Sequence, residues 1–195
     1  MPEKHKMLVW LDEIQQYHLP RWDELPDIEL YMDQIITLIE RYLSPLVGQY
    51  DGKVITPAMI NNYVKLNIMP KPLKKRYERE HLAYLIVITI LKQTLLITEV
   101  KEGIFLQSRI CSIPEAYNRF CDMLEKALGE MAGTYKCAYA KKDLHPFEPV
   151  DLDSMGLYMA CIGFAGKIFS EKIIFTRYED RADVAEVSEE NEKAE

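Results

Sequence analysis

Apolar residues recur at spacings of three and four along most of this chain, which is the period of an α-helix rather than of a β-strand. The clearest case is residues 27–43, where one face carries Ile28, Tyr31, Met32, Ile35, Leu38, Ile39 and Tyr42. Prolines and turn residues separate such segments. The pattern predicts helices over residues 4–17, 27–43, 56–66, 79–93, 98–105, 113–131 and 153–178, and therefore an all-α fold.

The 195 residues suffice for a small head followed by a helical body. We expect N-terminal helices and the head over residues 1–110 and the body over 111–179. An acidic disordered tail is expected over 180–195, because that stretch is poor in apolar residues.

The predicted C-terminal helix is apolar around much of its circumference, so it must be buried. Burial against a second copy would make the protein a homodimer, with the region after Ile113 taking part in pairing or sensing. Burial in the chain's own core would leave a monomer. We expect the homodimer.

Basic residues are concentrated in one part of a chain whose formal net charge is −7. Between Lys53 and His81 there are seven basic and two acidic residues. A basic segment on an acidic chain is typical of a DNA-binding head joined to a separate assembly region. From charge alone, a lysine-rich solvated loop is an equal alternative.

Residues 56–66 carry the signals of a short helix with defined ends. Thr56 offers an N-cap hydroxyl, and Pro57 fits the first helical position. Asn67 can adopt the left-handed conformation that ends a helix. The packed side would be formed by Met59, Ile60, Tyr63 and Leu66.

The other side of this helix would present Asn61, Asn62 and Lys65 to solvent. Amide side chains form paired hydrogen bonds with adenine in the major groove, and lysine reaches guanine or phosphate. Asparagine is also a poor helix former, so two in succession indicate a use beyond propensity. This face alone is weak evidence for DNA binding, since many exposed helices carry asparagine.

The sequence that follows strengthens the DNA interpretation. The helix leads into Asn67-Ile68-Met69-Pro70, a basic run over 71–76, then Arg76-Tyr77 and a new helix through His81-Leu82. This order over residues 55–105 resembles the DNA-binding head of the MerR-type transcriptional regulators. In that family a recognition helix, a proline-containing exit and a basic wing follow one another. Two positions depart from it: Asn61 replaces an early arginine and Asn67 replaces an exit glycine.

The whole chain resembles an uncharacterised bacterial family, domain of unknown function 1836. The resemblance rests on Leu19-Pro20-Arg21-Trp22 and on the stretch from Ile55 to Tyr63. It implies a MerR-like head but supplies no established substrate or target.

The MerR resemblance implies a winged helix-turn-helix with a small β wing near residues 74–77. It gives these expected DNA contacts: Asn61, Asn62, Tyr63, Lys65, Lys71, Lys74, Lys75 and Arg76. The exposed face of the helix over 56–66 would meet base edges or phosphates, and the wing would grip the backbone. Tyr63 would pack in part and offer its hydroxyl to a phosphate, while Tyr77 would anchor the wing in the core.

We therefore expect a sequence-specific transcriptional regulator that binds duplex DNA as a homodimer, with a small-molecule effector left open. The alternative is a protein–protein interaction module that keeps the helix-turn-helix fold without DNA binding. The four histidines and four cysteines lack metal-ligand spacing, so no metal or other cofactor is expected. No catalytic motif occurs either, and we expect no enzyme. The N-terminus lacks a secretory signal and no stretch would span a membrane, so a cytoplasmic location is expected.

Overall fold

The structure is a computed structural model that describes residues 2–47, 54–140 and 150–192, with side chains described for 6–47, 54–140, 150–151 and 153–173. The described residues form these helices: α1 Pro2–Gln15, α2 Met32–Leu43, α3 Pro57–Lys65, α4 Arg79–Leu91, α5 Ile97–Ser108, α6 Ile113–Tyr139 and α7 Leu152–Glu192. A 3₁₀ turn lies at Trp22–Glu24. The all-α prediction is confirmed.

A β wing is not seen as a pair of strands, since the described residues contain only two isolated bridges. One bridge joins Leu73 to Arg76 across a tight turn. The other joins Leu30 to Tyr77 through reciprocal backbone hydrogen bonds of 2.7 and 2.8 Å. This second bridge holds residue 30 in an extended conformation, which is why α2 begins at Met32 and not at Asp27 as its periodicity predicted.

The long helices α6 and α7 pack along each other, and α1 packs against both. The buried apolar residues form one continuous core that runs from Met7 on α1 to Phe169 on α7. The Trp10 and Phe169 rings meet edge to face, with centroids 4.8 Å apart. The N-terminal helix thus belongs to the same packing unit as the helices beyond residue 110, across the expected division between head and body.

The apolar face of α7 is covered by its own chain. Buried positions on that face are Tyr158, Cys161, Phe164, Ala165, Ile168 and Phe169. The burial that this helix demands is therefore met without a second copy, and the feature that led us to expect a homodimer has an intrachain explanation.

The acidic end of the chain differs from the expected disordered tail. Helix α7 continues through this stretch as far as Glu192, and 193–195 lie outside the described residues. The stretch is rich in alanine and glutamate, which have high helix propensity.

The segment Leu19–Trp22 docks on α6 through main-chain and side-chain hydrogen bonds. The Leu19 amide donates to Glu125 Oε1 at 2.9 Å, and the Trp22 amide donates to Asn118 Oδ1 at 2.8 Å. The Tyr117 hydroxyl donates to the Pro20 carbonyl at 2.9 Å. This segment therefore fixes the N-terminal helix and its connector to the body.

Within the described residues, no helix combines the length and the apolar character that crossing a bilayer requires.

Candidate nucleic-acid interface

Helix α3 is capped at both ends by its own sequence. Thr56 Oγ1 accepts a hydrogen bond from the Met59 amide at 3.3 Å, and Pro57 occupies the first turn. At the other end Asn67 adopts φ 53°, and the Ile68 amide donates to the Tyr63 carbonyl at 3.0 Å. This is a Schellman ending, with the left-handed residue just beyond the C-cap. The predicted helix ends are thus confirmed to within one residue.

The two faces of α3 separate as the periodicity predicted. Ile60 and Tyr63 are buried, whereas Asn61, Asn62 and Lys65 are exposed. Because Tyr63 retains only 4% of its surface, its expected phosphate contact is not available in this conformation. Burial also raises the pKa of its hydroxyl. Tyr63 is therefore a core residue that supports the helix.

The expected wing is a two-residue turn at Lys74 and Lys75. The Arg76 amide donates to the Leu73 carbonyl at 2.8 Å across it. Both central residues have positive φ, 48° at Lys74 and 62° at Lys75, as in a type I′ turn. Left-handed conformations cost an ordinary side chain about 1–2 kcal/mol relative to the right-handed ones. The turn therefore keeps two exposed lysines at a position where Asn-Gly would be more stable.

The double substitution Lys74→Asn/Lys75→Gly is expected to raise the free energy of unfolding by about 1 kcal/mol, because asparagine and glycine accept positive φ readily. Urea unfolding followed by circular dichroism measures the change. The matched control is Lys74→Ala/Lys75→Ala, which removes the same charges but keeps the unfavourable φ. Equal stability of the two variants would contradict the interpretation.

Arg76 and Arg79 are engaged with the connector before α2. The Arg76 guanidinium lies 3.7 Å from the centroid of the Tyr31 ring, and its Nε is 4.0 Å from Glu29. The Arg79 guanidinium lies 3.6 Å from Asp27 and 3.9 Å from Asp23. Arg76 is therefore less available to a ligand than the lysines that precede it.

Six predicted residues remain exposed around this region: Asn61, Asn62, Lys65, Lys71, Lys74 and Lys75. Among the described residues, none of the four lysines has an ion-pair partner. The sequence places three lysines within five residues directly after the exit of α3. The exposed amides on the helix could contact base edges of a nucleic acid, and the unpaired ammonium groups beside its end could contact phosphates.

His81 links the turn to α4. Its Nδ1 accepts a hydrogen bond from the Glu78 amide at 3.0 Å, and its ring meets Tyr77 edge to face at 5.7 Å. Burial lowers the pKa of the imidazole, outweighing the opposite effect of Glu80 and Glu78. The neutral ring is therefore the form that fits this site.

A lowered folded-state pKa at His81 makes stability depend on pH. The unfolded chain takes up a proton at His81 near pH 6.5, whereas the folded chain resists it. The free energy of unfolding should therefore be unaffected above that pH and should fall as the pH drops toward the folded-state pKa. Urea midpoints from pH 7.5 to 5.5 test this against His81→Gln, which keeps an acceptor for the Glu78 amide. The variant should show a shallower decline, and identical pH profiles would contradict the prediction.

Sequence reasoning missed two lysines that hold α3 in place. Lys101 on α5 donates to the Leu66 carbonyl at 2.9 Å, so it satisfies the end of α3 from another helix. Lys92, after α4, lies 3.6 Å from the Met59 sulfur and 5.9 Å from the centroid of the Tyr63 ring. Neither is adjacent to α3 in the chain, and no local motif marks them.

Among the described residues no group of His, Cys, Asp or Glu is arranged to hold a metal ion.

The connection between α2 and α3 differs from that of a helix-turn-helix. It spans residues 44–56, whereas that motif joins its helices by a turn of about 3–4 residues. Residues 48–53 of the connection lie outside the described part. The winged helix-turn-helix predicted from the sequence is thus not confirmed in the described residues.

Comparison with known families matched residues 20–120 to the model described as "Domain of unknown function (DUF1836)". Comparisons with curated proteins and with solved structures gave no match. The matched range begins within the Leu19–Trp22 segment and ends in α6, so it contains the Trp22–Asn118 and Pro20–Tyr117 contacts and the whole candidate interface, whereas Leu19 and Glu125 lie outside it. Since it covers more than half of the chain, the protein belongs to the DUF1836 family.

Proposed function

We propose that this protein is a sequence-specific transcriptional regulator that binds duplex DNA through the outer face of α3 and the lysine turn after it. The observation that carries the proposal is the exposure of Asn61, Asn62 and Lys65 on one helix face. Both ends of that helix are fixed by caps. A rigid helix with exposed amides fits the width of the major groove and can read adenine edges.

The lysine turn supports the same function. Lys71, Lys74 and Lys75 are exposed and unpaired among the described residues, whereas nearby Arg76 and Arg79 are engaged. Phosphate contacts position a protein on the duplex without reading sequence. We assign that role to the three lysines and the reading of bases to α3.

We propose that DNA is bound by a homodimer, since two copies of one head match two half-sites about one helical turn apart. Exposed apolar side chains on α5 and at its two ends offer a surface for pairing: Leu96, Phe105, Leu106 and Ile110 are between 48% and 69% exposed. Pairing through α5 would replace pairing through the region after Ile113. A small-molecule effector is part of the proposal.

Selection of duplexes from a randomised pool with the full chain, at moderate and at high salt, tests the function. We expect an enriched motif with two related half-sites, lost in Asn62→Ala/Lys65→Ala. Lys6→Ala/Gln16→Ala is a matched control, because it removes one exposed lysine and one exposed amide on and just after α1. Absence of any enriched motif at moderate salt would contradict DNA reading, and a single half-site would contradict the dimer.

The second candidate is a protein–protein interaction module without DNA binding. The engagement of Arg76 and Arg79 with Glu29, Asp23 and Asp27 favours it, because part of the basic segment is neutralised internally. The long α2–α3 connection favours it too. If the selection fails, capture of a protein partner that depends on Lys74 and Lys75 would support this module.

A further inference from the structure

A cavity of about 390 Å³ lies between α4, α5, α6 and the first turns of α7. Small-molecule sites in proteins fall in the range of about 300–1,000 Å³. Cavities of less than half this volume already bind an aromatic ring when their walls are apolar. The volume is therefore sufficient for a compact two-ring molecule.

The cavity walls are mainly apolar and partly aromatic. Val87 of α4, Ile104 of α5, Phe120 of α6 and Leu157 of α7 each contribute to the lining. Gly103 on α5 also lines the cavity, and a Cβ built there would meet no atom within 4 Å. A larger side chain at Gly103 would therefore extend into this space without meeting other atoms.

At the Gln107 end of the cavity the lining offers hydrogen-bond acceptors without a balancing cation. Gln107 has an Oε1 atom that is buried and lacks a hydrogen-bond partner, while its Nε2 donates to the Asp153 carbonyl at 3.4 Å. Asp153 itself lines the cavity beside Gln107, and none of the described lining residues is a lysine, arginine or histidine. Buried polar atoms are satisfied in most native structures, so the Gln107 oxygen favours a ligand that donates a hydrogen bond.

We propose that this cavity binds a small, largely apolar amine, whose rings fill the space among the four helices and whose ammonium group is held by Gln107 Oε1 and the Asp153 carboxylate. Aromatic lining residues strengthen the preference for a cation, because ring faces attract positive charge. The binding itself does not depend on whether the protein reads DNA.

The wall formed by α5 connects the cavity to α3. Val100 and Ile104 line the cavity from α5, and Lys101 between them donates to the Leu66 carbonyl at the end of α3. A ligand that shifts α5 would therefore move a contact that holds α3. This last step rests on the proposed function, under which ligand binding would change DNA affinity.

Three probes that share one ring system test the chemical class. They are 1-naphthylmethylamine, 1-naphthylmethanol and 1-naphthylacetate, titrated into the full chain by calorimetry at neutral pH. We expect one site per chain, with the amine at least tenfold tighter than the acetate and the alcohol between them. Equal affinity for amine and acetate, or no binding of the amine, would overturn the proposal.

Substitutions then locate the site. Gln107→Leu should weaken amine binding about fivefold, the usual effect of one lost hydrogen bond. Asp153→Asn should weaken it about two- to fivefold without affecting the alcohol. Gly103→Leu and, separately, Gly156→Leu should abolish binding by filling the space.

Circular dichroism and thermal melting establish that each variant is folded, and Glu102→Gln on the exposed side of α5 is the control for charge. If either folded leucine variant still binds the amine with unchanged affinity, the site is elsewhere and the proposal fails. If Gly103→Leu instead dissociates a dimer in a chain that binds no probe, a second copy occupies the cavity and the proposal is overturned. Probe binding without any DNA motif would support this site while contradicting only the proposed function.

Discussion

The triple variant Lys71→Gln/Lys74→Gln/Lys75→Gln is expected to bind the selected duplex on the order of 100-fold more weakly than the unaltered chain at about 0.15 M salt. These lysines are exposed and unpaired among the described residues, so their ammonium groups can replace counterions on the phosphates. Each phosphate contact contributes about 0.9 to the slope of log K against log salt. The slope should therefore become shallower by about 2.7 when three contacts are lost.

The control for this variant carries the same change in net charge elsewhere. Lys6→Gln/Lys136→Gln/Lys167→Gln alters lysines on α1, α6 and α7, away from the candidate interface. Fluorescence anisotropy at several salt concentrations should give this control the slope of the unaltered chain. Equal slopes for both variants would show that net charge, and not the turn after α3, governs binding.

The second large effect is expected at Arg21, where Arg21→Met should lower the free energy of unfolding by about 2–3 kcal/mol. The guanidinium donates to both oxygens of Glu125 at 2.7 Å, to Asp122 at 2.9 Å and to the Leu19 carbonyl at 2.9 Å. About a quarter of each of the Arg21 and Glu125 side chains is exposed. Losing the arginine leaves the Glu125 carboxylate largely desolvated and without its counterion.

Urea unfolding of Arg21→Met, Glu125→Gln and the double variant measures the coupling between the two side chains. We expect the double variant to be less destabilised than the sum of the single variants, because neither charge is then left alone. Arg41→Met, on an exposed arginine of α2, is the matched control and should change stability by about 0.5 kcal/mol or less. Additive single effects would contradict a direct pair.

The Arg21–Glu125 pair also makes the free energy of unfolding depend on pH in the acidic range. Burial alone would raise the pKa of Glu125, but hydrogen bonds from Arg21 and Leu19 outweigh it and lower the pKa. The stabilisation is thus complete above the pKa of the unfolded chain and is lost as the pH falls through the folded-state value.

Local sequence was sufficient for the elements that depend on near neighbours. Thr56, Pro57 and Asn67 set the two ends of α3, because helix caps are made within a few residues of the chain. The division of α3 into an apolar and a polar face followed from its 3.6-residue period. The same reasoning placed the ends of α4 to within two residues and those of α5 to within three, close to the usual uncertainty for helix ends.

Local signals failed where a distant partner decides the conformation. The start of α2 moved from residue 27 to 32 because Leu30 pairs with Tyr77. Helix α6 extends to Tyr139, past the predicted end at residue 131. Its packing against α7 offsets the cost of Gly133, which periodicity alone treats as a break.

The sequence by itself determined the helical class, the ends and faces of α3, and the run of lysines after it, since each depends on residues a few positions apart. Only the tertiary structure decided that Tyr63 is buried, that Arg76 is engaged, and that Leu19–Trp22 docks on α6. The cavity between α4, α5, α6 and α7 likewise became visible only in the tertiary structure. The physical reason is that burial and ion pairing depend on side chains brought together from distant parts of the chain, such as Arg21 and Glu125, and a linear pattern does not record which helices will meet.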